Sequence, residues 1–97
     1  MPIFIKTETI KEKFLKNVLI KNQTIKEHTS WVAELRNKGI KINSGFLIDQ
    51  NKSPGAGGLL IIECNSYEEA KMIIKEDPMI KNNLVDWEFH EWINVIA

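Results

Sequence analysis

The chain has 97 residues, of which 43% are hydrophobic and 27% charged, values ordinary for a globular domain and unlike a disordered chain. Thirteen basic residues balance thirteen acidic ones, so no net field recruits nucleic acid or an anionic membrane. The one cysteine, Cys64, has no internal disulfide partner, and the longest apolar run, Leu59-Leu60-Ile61-Ile62, is far short of the ~20 residues that cross a bilayer.

Met1-Pro2-Ile3-Phe4-Ile5-Lys6 has neither an apolar signal region nor a cleavage site, so a cytoplasmic, reducing setting is expected. Ile3 to Thr9 is β-branched and alternating, with Ile3, Ile5 and Thr7 on one side and Phe4, Lys6 and Glu8 on the other, which predicts a first strand. Ile10 to Lys21 carries apolar residues at Phe14, Leu15, Val18, Leu19 and Ile20 and fits either a helical turn or an irregular excursion. Thr24-Ile25-Lys26-Glu27 has the capping-box form, predicting a helix from there to about Lys38. Its inward stripe is Ile25, His28, Val32 and Leu35 with Trp31 beside them, and Gly39 supplies a left-handed terminus.

Ile40 to Ile48 alternates again and predicts a second strand, in which Gly45 marks a bulge or a close approach. Asp49 to Gly58 is a dense cluster of turn formers, read as an exposed, mobile hairpin loop. Leu59 to Cys64 is apolar on both faces except at Glu63, the pattern of a central strand covered above and below. Ser66-Tyr67-Glu68-Glu69 is a second capping box, opening a helix to Glu76 with Ala70, Ile73 and Ile74 inward. Asp77-Pro78 ends it, and Asp77 is placed to cap a further short turn through Asn82. Asp86 to Ile96 alternates along its length as a final strand.

The order βαββαβ over residues 1–97 predicts a single α+β domain of the ferredoxin-like type, a four-stranded antiparallel sheet with both helices on one face. The other face then exposes several hundred Å² of apolar surface, more than a soluble monomer usually carries. A second copy of the chain, packed sheet to sheet, would cover it.

Residues as well as pattern suggest a family. Glu27-His28-Thr29-Ser30-Trp31-Val32-Ala33-Glu34-Leu35, then Gly39, Ser44-Gly45, the glycine loop before Leu59, Tyr67-Glu68-Glu69-Ala70, Asp77-Pro78-Met79 and Leu84-Val85-Asp86 together resemble the YCII-related proteins. The resemblance spans about Glu27 to Val95. It implies a dimeric α+β barrel and a histidine and an aspartate acting as a catalytic or binding pair, which map onto His28 and Asp77. Trp31, Ser44, Gly45 and Met79 are the accompanying pocket candidates. Most members have no known function; a minority resemble cofactor-free enzymes of aromatic breakdown such as dehydrochlorinases, and muconolactone isomerases share the barrel.

Read for chemistry, His28 sits on an inward helical face near an expected helix N-terminus, where dipole and burial together favour a neutral base. Asp77 would fix its tautomer and leave the other ring nitrogen free for proton transfer. The bland alternatives are a buried histidine bonded to backbone and an aspartate that only caps a turn. His90 has no companions at metal-ligand spacing, Cys64 reads as core, and the glycine loop lacks the Lys-Ser/Thr of a phosphate loop, so neither metal nor cofactor is expected.

Two functional classes follow. One is a cofactor-independent isomerase or lyase, of dehydrochlorinase type, in which His28 and Asp77 move a proton on a small cyclic or aromatic organic acid. The other is a non-catalytic small-molecule-binding or accessory homodimer. An RNA-binding module of the same element order is excluded, because the third strand lacks stacking aromatics and the surface lacks a basic excess.

Overall fold

The computed structural model describes residues 1–52 and 54–96. Its elements are β1 (Ile3–Ile10), α1 (Glu12–Leu15), α2 (Val18–Asn37), β2 (Ile42–Ile48), β3 (Pro54–Glu63), α3 (Tyr67–Ile74), α4 (Pro78–Lys81) and β4 (Val85–Trp92). The strands form one antiparallel sheet in the order β2-β3-β1-β4, so the two strands richest in apolar residues on both faces lie in its middle. Phe4, Ile42, Leu60, Ile62 and Phe89 on one sheet face pack with Leu35 of α2 and Ala70 and Ile74 of α3. Both long helices therefore cover the same face, the ferredoxin-like arrangement.

Two local devices set the second half. Ser66 Oγ accepts the Glu69 backbone N–H at 3.1 Å, closing the start of α3 as its capping box requires. Asp77 caps α4 with Pro78 in the first turn, where its missing N–H costs nothing. Gly39 adopts φ +90° and ends the segment after α2, a conformation that glycine enters without a Cβ penalty.

The first helix differs from its sequence reading. α2 begins at Val18, capped by Asn17 whose Oδ1 accepts from Ile20 N at 3.3 Å, and it runs unbroken through Thr24. Thr24 is buried inside the helix, so its capping-box pattern is coincidental. The longer helix fixes the inward stripe as Thr24, His28, Trp31 and Leu35, at spacings of four and three residues. Ile25, expected inward, is 42% exposed because it stands one step around the helix from Thr24. The open stretch Ile10 to Lys21 resolves into the end of β1, the single turn α1 and the first turn of α2.

The strands also end differently. β2 starts at Ile42, and the irregularity in its pairing with β3 falls between Phe46 and Ile48 rather than at Gly45. β4 stops at Trp92, which pairs with Ile3, the first residue of β1, so Ile93 to Ile96 fall outside the strand. Of the expected loop Asp49 to Gly58, Ser53 lies outside the described residues, while Pro54 to Gly58 belong to β3. Gly57 has φ +100°, and a Cβ there would run into the carbonyl oxygen of Glu8 on β1. This close approach, rather than mobility, explains that glycine.

Gly57→Ala should therefore lower unfolding free energy by about 2 kcal/mol or more in a urea titration, combining a left-handed penalty with a backbone clash. Gly45→Ala, where an added Cβ meets nothing within 4 Å, should change it by no more than about 0.5 kcal/mol.

Candidate functional site

The helix-facing side of β1 carries Phe4, Lys6 and Glu8, and the pleat that buries Phe4 in the core buries Lys6 as well. Lys6 is 0% exposed, an unusual place for a long cationic side chain unless it is paired. Its in-register neighbours on that face, Leu60 of β3 and Phe89 of β4, are apolar and offer it nothing. Its partners are instead carboxylates: Nζ donates to Asp77 Oδ2 at 2.5 Å and lies 2.7 Å from Glu8 Oε1.

Asp77 is also 0% exposed and uses both oxygens. Oδ1 accepts the Met79 backbone N–H at 2.9 Å and lies 2.7 Å from His28 Nδ1, while Oδ2 takes Lys6. Burial alone would push this carboxyl up. The hydrogen bond from His28 and the charges of Lys6 and His28, with the Lys6 hydrogen bond, outweigh it and hold Asp77 below its ordinary value. An ionised carboxylate only accepts, so His28 Nδ1 carries the hydrogen between them.

The other imidazole nitrogen, Nε2, is 2.7 Å from Ser44 Oγ on β2. With Nδ1 carrying its hydrogen toward Asp77, Nε2 accepts from the Ser44 hydroxyl when the ring is neutral and donates to it when the ring is charged. The His28 side chain is 14% exposed, and Ser44 is at the surface. A line of polar groups therefore runs from the interior outward: Lys6, Asp77, His28, Ser44. It draws on β1, the α4 cap, α2 and β2, four separate elements of the chain.

The sequence candidates distribute around this line unevenly. His28, Asp77 and Ser44 form it. The Trp31 ring stacks at a tilt beside His28, with centroids 5.7 Å apart, and is half-buried. Gly45 does not join them, because the strand pleat turns it to the opposite face, in register with Leu59. Met79 contributes only its backbone N–H, since its side chain is packed in a second core cluster with Leu84 and Val85. His28 lies in the middle of the 20-residue α2, which removes the expected dipole effect of a nearby N-terminus.

Three residues were missed. Lys6 and Glu8 lie on the strand face that also carries Phe4, so a lysine between a buried aromatic and a glutamate was the available signal. Phe46, two residues beyond Ser44 on the same strand face, is 73% exposed and pairs in register with Gly58. Elsewhere, Cys64 is buried in the core, and its thiol is pushed up by burial and by Glu69. Among the described residues no three His, Cys, Asp or Glu side chains converge as a metal-ligand set, and no helix is long and apolar enough to cross a membrane.

The depressed pKa of Asp77 makes a stability statement. A carboxyl held lower in the folded than in the unfolded state adds stability above the unfolded value of about 3.8, lost as pH falls through the folded value. Asp77→Asn should cost about 3 to 5 kcal/mol at neutral pH, because Lys6 is left buried without its main counter-charge. The gap to wild type should narrow below about pH 4. Denaturant titrations followed by circular dichroism from pH 7 to 2 check this; a gap that stays constant would contradict it.

Comparison with known proteins comes to the same fold. The model of the YCII-related domain matches residues 5–93. Among solved structures, 5-chloro-2-hydroxyhydroquinone dehydrochlorinase (TftG) from Burkholderia phenoliruptrix AC1100, in complex with 2,5-dihydroxybenzoquinone, superposes with a TM-score of 0.74. It is 18% identical, and the match covers 94% of this chain and 93% of that one. The de novo designed protein Ferredog-Diesel is 12% identical over 93% of this chain and 84% of its own, with a TM-score of 0.58. A dimeric ferredoxin-like protein from an uncultured marine organism is 17% identical over 100% of this chain and 99% of its own, with a TM-score of 0.51. No curated protein matches the chain in sequence. With the domain model matched along nearly all of its length and the fold shared with these structures, the chain belongs to the YCII-related family.

Proposed function

We propose that this protein is a cofactor-independent enzyme that moves a proton on a small cyclic or aromatic organic acid, with isomerase or lyase chemistry of the dehydrochlorinase type. The observation that carries the proposal is the hydrogen-bonded line Asp77–His28–Ser44, which starts at a fully buried carboxylate and ends at a surface hydroxyl. In this reading Asp77 fixes the tautomer and stabilises the imidazolium that forms, and His28 Nε2 is the base. Ser44 either swings aside or passes the proton inward. In the relay the substrate proton bonds to Oγ as the serine hydrogen moves to Nε2, and the substrate keeps the electron pair. In an elimination that pair becomes a new π bond as chloride leaves with the electrons of the C–Cl bond; in an isomerisation the same proton returns at another carbon.

The surroundings suit a flat ring. Phe46 and Trp31 flank Ser44 and His28, and the dehydrochlorinase of similar fold is a complex with a quinone. A second reading, a binding or accessory protein without chemistry, is favoured by a specific observation. Two surface clefts, about 500 Å³ beside Phe14, Leu19 and Leu84 and about 370 Å³ beside Trp31 and Glu34, are not lined by His28. The polar line favours chemistry all the same, because a hydrogen-bonded base needs only a shallow opening at Ser44 for a substrate to reach it.

We also infer a homodimer and a cytoplasmic setting. The sheet face opposite the helices carries the register pairs Ile3–Trp92 and Ile5–Ile61, with Leu59 beside them on β3, an apolar strip suited to a second copy. One solved structure of the same fold is a dimeric protein. The lone, buried Cys64 is compatible with a reducing compartment.

Turnover of chlorinated hydroxyhydroquinones, hydroxybenzoquinones and unsaturated lactones, followed by absorbance and by chloride release, tests the activity. Wild type should convert at least one of these, and His28→Gln should lose about 10² to 10⁴ of that rate. Equal rates in the two proteins would refute the enzyme reading. Binding of 2,5-dihydroxybenzoquinone with no conversion would support the second reading. For the assembly, sedimentation equilibrium at micromolar concentration should give twice the chain mass, and Ile5→Glu should give the chain mass itself.

A further inference from the structure

Lys6 goes beyond the histidine and aspartate. It touches neither His28 nor solvent, yet it is the only described cation within ion-pair distance of Asp77 besides the imidazole itself. We propose that Lys6 is a positioning residue of this site, and that Glu8 tunes it: Lys6 takes Asp77 Oδ2, which commits Oδ1 to His28 Nδ1, and the Glu8 carboxylate sets how much of the lysine charge the pair feels.

The geometry supports this directly. Asp77 Oδ1 is held by two donors, His28 Nδ1 and the Met79 N–H, and Oδ2 by Lys6, so the carboxylate has no free rotation left. Lys6 cannot relax elsewhere, since Leu60 and Phe89 flank it on the sheet and the helical layer covers it. Its one other partner is Glu8, at 2.7 Å, on the same strand face and nearer the solvent. The charged and titratable groups facing Lys6 and Asp77 are thus Glu8 from β1 and His28 from α2. Leu60 from β3 and Phe89 from β4 are apolar, and the backbone of α4 supplies the Met79 N–H.

The glycine pair on β3 belongs to the same arrangement. Gly57 lets the β3 backbone close on the Glu8 carbonyl, and a Cβ at Gly58 would come within 3.1 Å of Glu8 Cγ. The side chain of Glu8 is thereby given room to lie toward Lys6. Larger residues at Gly58 would displace it.

The proposal rests on the reading of His28 as the proton-accepting group, but it is tested without turnover. The proton-binding midpoint of the coupled His28–Asp77 pair is read from the His28 ring nitrogens by ¹⁵N NMR across pH. Lys6→Met removes a cation and should move that midpoint up by roughly one pH unit or more; Glu8→Gln removes an anion and should move it down. His90, exposed on the opposite sheet face, is the internal control and should not move. Shifts of opposite sign support the proposal, because loosened packing gives no reason for the sign to follow the charge removed. No shift, or shifts of the same sign, overturn it. Should Lys6→Met fail to fold, Glu8→Gln alone decides: its midpoint falls, or the proposal fails. If the opposite shifts are found while wild type and His28→Gln show equal turnover, the electrostatic linkage stands and only the enzyme reading is lost.

Discussion

A carboxylate taken wholly out of water is the constraint around which this small protein is arranged. Placing an ion in a low-dielectric interior costs several kcal/mol even after relaxation, and that cost is offset only when its lone pairs and charge are all answered. Asp77 is answered from three directions: a lysine on β1, a histidine on α2 and a backbone N–H at the start of α4. Each partner comes from a different part of the chain. The carboxylate oxygen that caps α4 also holds the imidazole of α2. A chain of 97 residues has little core with which to absorb an error there.

The order of elements was legible because strand and helix periodicities are local. Alternation at Ile3 to Thr9, the Ser66 capping box and the Asp77-Pro78 break each encode themselves within a few residues. The ends were less legible for equally local reasons. Thr24-Ile25-Lys26-Glu27 has the composition of a cap, but the pattern does not exclude a helix already under way. The preceding Val18, Leu19 and Ile20 are mostly solvent-facing and gave no amphipathic stripe to reveal it. At β4 the alternation continues to Ile96, whereas pairing ends at Trp92, opposite the first residue of β1, and alternation alone does not show where a neighbour ends.

The site shows the same division. His28 could be placed on an inward face from helical spacing, and Asp77 at a cap from the proline after it, but neither feature says that they meet. Their separation of 49 residues is closed by the packing of α2 over α4, a tertiary fact. Lys6 was harder still. Alternation put it on the same side as Phe4 and Glu8, but not which side is buried, and the partner that makes burial tolerable is 71 residues away. Met79 shows the opposite error: a residue next to Asp77 in sequence contributes its backbone there and sends its side chain into the core.

Stability and chemistry are consequently hard to separate in this fold. In a large protein a buried charge network can be an insertion into a core that would fold without it, but here Lys6 lies between Leu60 and Phe89 on a central strand of the four-stranded sheet. The same residue is a core side chain by position and an electrostatic element by charge. A polar line that begins in that core and ends at the Ser44 hydroxyl therefore ties the protonation of a surface-facing group to the packing of the interior. Substitutions along it should be read by their charge as much as by their volume. The sign of the effect on the His28–Asp77 pair follows the charge removed, while the loss of folding energy follows burial, and the two need not run together.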